Sequence, residues 1–229
     1  MENRGTQTKD NQDLEQELQA IDKNQFPEKT YPPKVKAMFE AVLELFASGR
    51  ELSTLKVSEI TSKAGIGKGT AYEYFSTKEE IIVGAIEYEA AKHFHRILRL
   101  MEEGQSFSEI IFKGLDMLEA ANKKYHGLTV LEKILQDSTM TGSALLKEVQ
   151  KHKGQCELCH HYSQRLMMLA KDSGITQETS PWKVWGAIFS QYVLYAFYLS
   201  HQEMILGMDK EEVRSFVYQN IMKILGGST

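Results

Sequence analysis

The chain has 229 residues and a formal net charge of −4. Hydrophobic residues make up 42% and charged residues 25%, which excludes global disorder and allows one large packed domain or two smaller ones. A chain with this charge has no general attraction for polyanions, so any such binding must come from a local arrangement of cations.

The first 30 residues are polar and acidic, with no apolar stretch of the kind that forms a secretory signal. Pro27, Pro32 and Pro33, three of the four prolines, close off this segment. Its composition predicts a largely disordered tail over residues 1–31, with room for a short helix near residues 14–21. Strand-like alternation is absent from the rest, and the chain reads as all-α.

The first clear helix carries Val35, Met38, Phe39, Val42, Leu43 and Phe46 at i, i+3, i+4, i+7 spacing, after Pro32-Pro33 and before Gly49. A second, over residues 57–64, turns Val57, Ile60 and Ala64 inward and stops at Gly65. A third has only two turns, residues 68–75, and a fourth runs from Lys78 to about Met101. Longer helices follow over residues 107–124 and 128–137. A polar-faced stretch over 144–171 comes next, with a break expected at Gly154. Ser180 as N-cap and Pro181 at the first helical position open a helix expected to reach residue 206. The last helix starts at Asp209 with Glu212 three residues on, and ends at Gly226.

A two-turn helix after a glycine turn suits a helix-turn-helix, whose second helix enters the ~12 Å major groove. Ile66, Ala71 and Phe75 can face a core, while Gly69, Tyr72 and Glu73 share the opposite face. Thr70, Tyr74 and Lys78 form a second stripe spaced by four, rich in the hydroxyl and ammonium groups that hold phosphates. An isolated Tyr-x-Tyr-Phe string would read as core packing; the whole spaced pattern favours DNA. The segment from Lys34 to Glu80 holds seven basic residues (34, 36, 50, 56, 63, 68, 78) and seven acidic ones (40, 44, 51, 59, 73, 79, 80). Affinity would thus rest on where the lysines sit and on dimerisation.

The stretch VSEITSKAGIGKGTAYEYFSTKEEI, preceded by VKAMFEAVLELFASG, resembles the DNA-binding domain of TetR-family transcriptional regulators. The resemblance covers residues 33–89. It implies a helix-turn-helix head over residues 32–92, with the motif at 55–74, and a helical effector-binding and dimerisation domain over 93–229. It also implies that Lys68, Gly69, Tyr72 and Glu73 approach bases, and that Thr70, Tyr74 and Lys78 hold phosphates. Two positions depart from the usual pattern. Lys56 stands where a Thr commonly caps the second helix, which suggests a direct lysine–phosphate contact. Gly67 stands where a Ser commonly caps the third, which weakens that cap.

Residues 181–206 are apolar almost all round, from Trp182 to Phe197. The longest run, Val184 to Leu199, is interrupted by Gly186, Ser190 and Gln191 and falls short of the ~18–20 residues of a membrane span. Such a helix needs cover on most sides, which a two-fold four-helix bundle with the last helix would give. A homodimer on a pseudo-palindromic operator is therefore expected. Aromatic and methionine residues in the second half suggest a small hydrophobic or aromatic effector, with Phe112, Met117, His126, Tyr162, Met167, Trp185, Phe189 and Tyr192 as candidate contacts.

CELCHH offers another class. Cys156-x-x-Cys159-His160 has c-type haem spacing, and His152 lies one turn earlier, so the four could hold a soft metal or sense redox state. Without an export signal or a second CxxC, a polar helix carrying two thiols is the simpler reading. The cysteines are too close to staple a fold, and a reduced, cytoplasmic protein is expected. No cofactor is expected. No phosphate loop, nucleophile elbow or HExxH is present, so no catalytic residues are assigned.

Overall fold

A computed structural model of the chain describes residues 29–124, 148, 157–202 and 207–226. The expected tail and its short helix, and the expected helix over 128–137, lie outside these residues. Among the described residues there are eight α-helices and no strand. They are α1 (Pro33–Ala47), α2 (Val57–Ala64), α3 (Lys68–Tyr74), α4 (Lys78–Glu102), α5 (Phe107–Lys124), α6 (Glu157–Asp172), α7 (Pro181–Ser200) and α8 (Lys210–Leu225). A 3-10 turn, Leu52–Thr54, precedes α2.

The helix ends follow local chemistry. Pro33 occupies the first turn of α1, where its missing N–H costs nothing. Gly65 ends α2 and Gly226 ends α8, both with left-handed backbone, φ +67° and +83°. The Asp209 carboxylate accepts from the Glu212 N–H at 2.9 Å and Glu212 accepts from the Asp209 N–H at 2.8 Å, completing the box read in the sequence. The start of α7 differs from expectation. Ser180 makes no side-chain cap. The Glu178 carboxylate instead accepts from the N–H groups of Thr179 and Ser180, at 2.9 and 3.0 Å. Those two N–H groups precede the helix, while the Lys183 and Val184 N–H groups inside it donate to the Ser180 carbonyl at 3.1 and 3.3 Å.

Two apolar cores form. The first gathers Val35, Met38, Phe39, Val42 and Phe46 of α1 around Leu55, Ile60, Ala71 and the first turns of α4, Ile81 to Ala85. Gly84 permits the close approach of α1 and α4, because a Cβ there would lie 2.7 Å from the Phe39 ring. The second core collects Ile97, Leu98 and Met101 of α4 with residues of α5 to α8, including Ile111, Leu115, Leu166, Val184, Tyr195 and Val217. Gly114 plays the same part here. A Cβ on it would lie 2.1 Å from the Tyr192 hydroxyl, which donates to the Ile111 carbonyl at 2.9 Å.

Two helices join the cores. α4 contributes buried residues to both. α5 sits mainly in the second, yet its Ala121 packs against the first and its Lys124 bonds Glu89 of α4 at 3.1 Å.

Candidate nucleic-acid interface

Geometry at α2 and α3 follows from a narrow apolar seam. Ala71 is the buried residue of α3, with Ile66 and Phe75 packing from either end. So short a seam leaves the rest of the helix outside. Tyr72 is 52% exposed and Tyr74 43%, although tyrosine usually buries its ring. Lys68, Gly69 and Glu73 are also exposed, and Thr70 is half-buried. A Cβ at Gly69 would meet no atom within 4 Å. The fold therefore makes no steric demand for glycine at that position.

The cations divide into two groups. Lys36 pairs with Glu40 at 3.7 Å, Lys63 with Glu44 at 2.9 Å and Arg50 with Glu59 at 2.6 Å. Among the described residues no ion pair joins Lys56 or Lys68, and both are exposed. Lys34, at the start of α1, is likewise exposed and in no ion pair among the described residues, so the unpaired positive charge of the head lies at the starts of α1, α2 and α3.

Lys56 stands on a braced turn. Its N–H donates to Glu59 Oε2 at 2.9 Å. That hydrogen bond, and next to it the Arg50 charge, hold the Glu59 carboxyl below the usual carboxylate range. Lys78, grouped with the phosphate contacts in the sequence, turns inward. Its Nζ donates to the carbonyls of Ser53 at 2.7 Å and Leu55 at 3.2 Å. Sequence spacing gives no sign of this bond, because it joins residues 23 and 25 apart. The Arg50–Glu59 pair was equally hidden. Only Glu59, three residues after Lys56, carried a local signal.

Of the candidate effector contacts, Phe112, Met117, Tyr162, Met167, Trp185 and Tyr192 belong to the second core or pack against it. Tyr162 and Met167 are buried in the second core, and burial pushes the Tyr162 phenol up to about 12. Tyr192 sits against Gly114, and Met117 packs on the same core. Phe112 stacks on Tyr218, ring centroids 5.2 Å apart. Trp185 and Phe189 lie in an outward ladder, Trp182–Trp185–Phe189, stacked at 4.8 and 4.5 Å, with Phe189 exposed. His126 lies outside the described residues. A groove of about 670 Å³ opens between Gly174–Glu178, Lys183, Ala187 and the end of α8, and none of the seven described candidates lines it.

His152 and Cys156 also lie outside the described residues. Cys159 is disulfide-bonded, which departs from the expected free thiol. A sulfur so engaged is no thiolate ligand. Among the described residues no three His, Cys, Asp or Glu side chains gather as a metal would need. His160 instead bonds Gln164 at 3.0 Å. No described helix is long and apolar enough to cross a membrane.

Residues 40–85 match the bacterial regulatory proteins of the tetR family. The uncharacterised HTH-type transcriptional regulator YuxN of Bacillus subtilis (strain 168) is 38% identical over 73 residues, which take in 32% of this chain and 25% of that protein. The matched stretch thus spans about a quarter of that relative's length. Two solved structures share the fold over most of both chains. The fatty acid degradation regulator FadR from Bacillus halodurans superposes with a TM-score of 0.56 at 20% identity, over 87% of this chain and 98% of that one. The FadR of Bacillus subtilis in complex with stearoyl-CoA does so with 0.58 at 15% identity, over 85% and 99%. With a short exposed helix after a glycine turn, residues 40–85 form a head that matches the bacterial regulatory proteins of the tetR family.

Proposed function

We propose that the chain is a dimeric repressor that binds a pseudo-palindromic DNA operator and is released from it by a small hydrophobic effector. The observation that carries this reading is the surface of α3. Tyr72, Tyr74, Lys68, Gly69 and Glu73 are all exposed on a two-turn helix that the head core anchors through Ala71. Nothing in the fold of the head requires those side chains there. In the major groove they would meet base edges and phosphates. Lys56, Lys68, Thr70 and Tyr74 are assigned to phosphates, and Gly69, Tyr72 and Glu73 to bases. Such work places the protein in the cytoplasm.

The outer face of α7 and α8 supports the dimer. Trp182, Phe189, Leu194, Phe197, Phe216 and Ile224 are large apolar side chains, all between 39% and 71% exposed. A second copy would cover them and set the heads ~34–36 Å apart, one helical turn of DNA. Effector release follows if a ligand in the second core favours another spacing. α4 and α5, which touch both cores, are the mechanical route.

The test is selection from a random duplex library with the purified chain, followed by gel shift. Recovery of an inverted repeat with half-sites one helical turn apart supports the reading, and recovery of no sequence refutes it. Apolar compounds, and separately long-chain acyl-CoAs, which join an apolar chain to an anionic head, are then scored for loss of the complex and for a change in tryptophan fluorescence. Release by metals or thiol oxidants alone, abolished by Cys156→Ser with Cys159→Ser, would move the sensor to the CELCHH segment.

A further inference from the structure

We infer that Lys78 acts as a positioning residue for Lys56, holding the turn from which Lys56 reaches DNA, and does not itself hold a phosphate. The inference rests on the DNA-binding reading above. The turn is held from two sides. From one, Lys78 Nζ at the start of α4 donates to the carbonyls of Ser53 and Leu55, the residues just before Lys56. From the other, Glu59, bonded to Arg50, accepts the Lys56 N–H.

Physical chemistry explains why a lysine does this. Ser53 belongs to the 3-10 turn and Leu55 is the extended residue that ends it, φ −57° and ψ 141°, while the Glu59 and Ile60 N–H groups of α2 bond the Lys56 carbonyl rather than either of theirs. A cation that donates to both the Ser53 and the Leu55 carbonyl makes two charge-assisted bonds. The Lys78 side chain is 30% exposed, so it is partly withdrawn from solvent. Two of its three N–H donors are committed inside the head, and moving it to a phosphate would leave two carbonyls unpaired. The Lys56 side chain has no such engagement among the described residues and is exposed. Lys78 also lies at the first residue of α4, the helix that reaches the second core. A shift of α4 would pull directly on the turn that carries Lys56.

A double-mutant cycle tests this on the full chain, with the duplex selected by the wild type. Lys56→Ala should lower the slope of log K against log salt by ~0.9 per subunit, the signature of one phosphate contact. Lys78→Ala should weaken binding by about tenfold. Added to Lys56→Ala, it should change affinity by less than about twofold, with no further change in slope. A further slope decrease of about one per subunit would make Lys78 a direct phosphate ligand and overturn the inference. Hydrogen exchange gives a readout free of DNA. Amides of residues 55–58 should exchange faster in Lys78→Ala and stay as in the wild type in Lys56→Ala. Unchanged exchange in Lys78→Ala would overturn the brace even if no duplex were recovered, an outcome that by itself would sink only the DNA reading.

Discussion

Gly69→Ala separates folding from function at a single atom. Gly69 is helical and exposed, and its added methyl would meet nothing within 4 Å. No strain is introduced, and alanine has the higher helix propensity. Glycine in a helix interior costs roughly 0.5–1 kcal/mol against alanine. Gly69 is the second residue of α3, near an end where propensity counts less, so a gain of about 0.5 kcal/mol is expected. For a domain of this size that raises Tm by about 1–2 °C. DNA affinity should move the other way. If the α3 backbone approaches DNA at Gly69, a methyl there occupies space that DNA must fill, and at least tenfold is expected to be lost, about 1.4 kcal/mol. The assay is a melting curve paired with a binding isotherm on the selected duplex. A variant that is more stable and binds equally well would place Gly69 off the DNA surface. A less stable variant would refute the reading of its surroundings.

Other expectations follow from the two cores. Glu119 accepts from Lys210 at 2.9 Å and Tyr195 at 2.8 Å and forms a close pair with Arg214, whose side chain is only 11% exposed. Glu119→Ala should therefore cost about 3 kcal/mol by urea unfolding. Asp116→Asn, at the half-exposed end of the same network, should cost under about 1 kcal/mol. Burial alone would raise the Glu89 carboxyl, but hydrogen bonds from Lys92 and Lys124 outweigh it and set the pKa at about 2. A depressed carboxyl stabilises fully above its unfolded value of ~4.3, and that contribution is lost as pH falls toward 2. Glu89→Gln should thus lower the urea midpoint at pH 7 and match the wild type near pH 2. Gly114→Ala must displace Tyr192 and break its bond to the Ile111 carbonyl, a loss of about 2–3 kcal/mol in the same assay. Phe197→Glu puts a charge on the exposed face of α7 and should yield monomers by light scattering.

What the sequence determined by itself is what local chemistry controls. The apolar period of α1, the left-handed glycines at Gly65 and Gly226 and the Asp209–Glu212 box are short-range, and each stands where the residues put it. The two-turn α3 was legible for the same reason, since Ala71 and the flanking Ile66 and Phe75 leave no second apolar face to bury. Tertiary structure decided which polar groups find partners. Lys78 bonds carbonyls 23 and 25 residues away, and Arg214 of α8 reaches Glu119 and Asp116 of α5. It also sorted the aromatic residues. Tyr162 and Tyr192 went inward while Trp182, Phe189 and Phe197 stayed outside, although the sequence offers all of them as equally apolar. A helical period shows that a face is apolar; what lies against that face depends on residues far along the chain, and spacing carries no record of them.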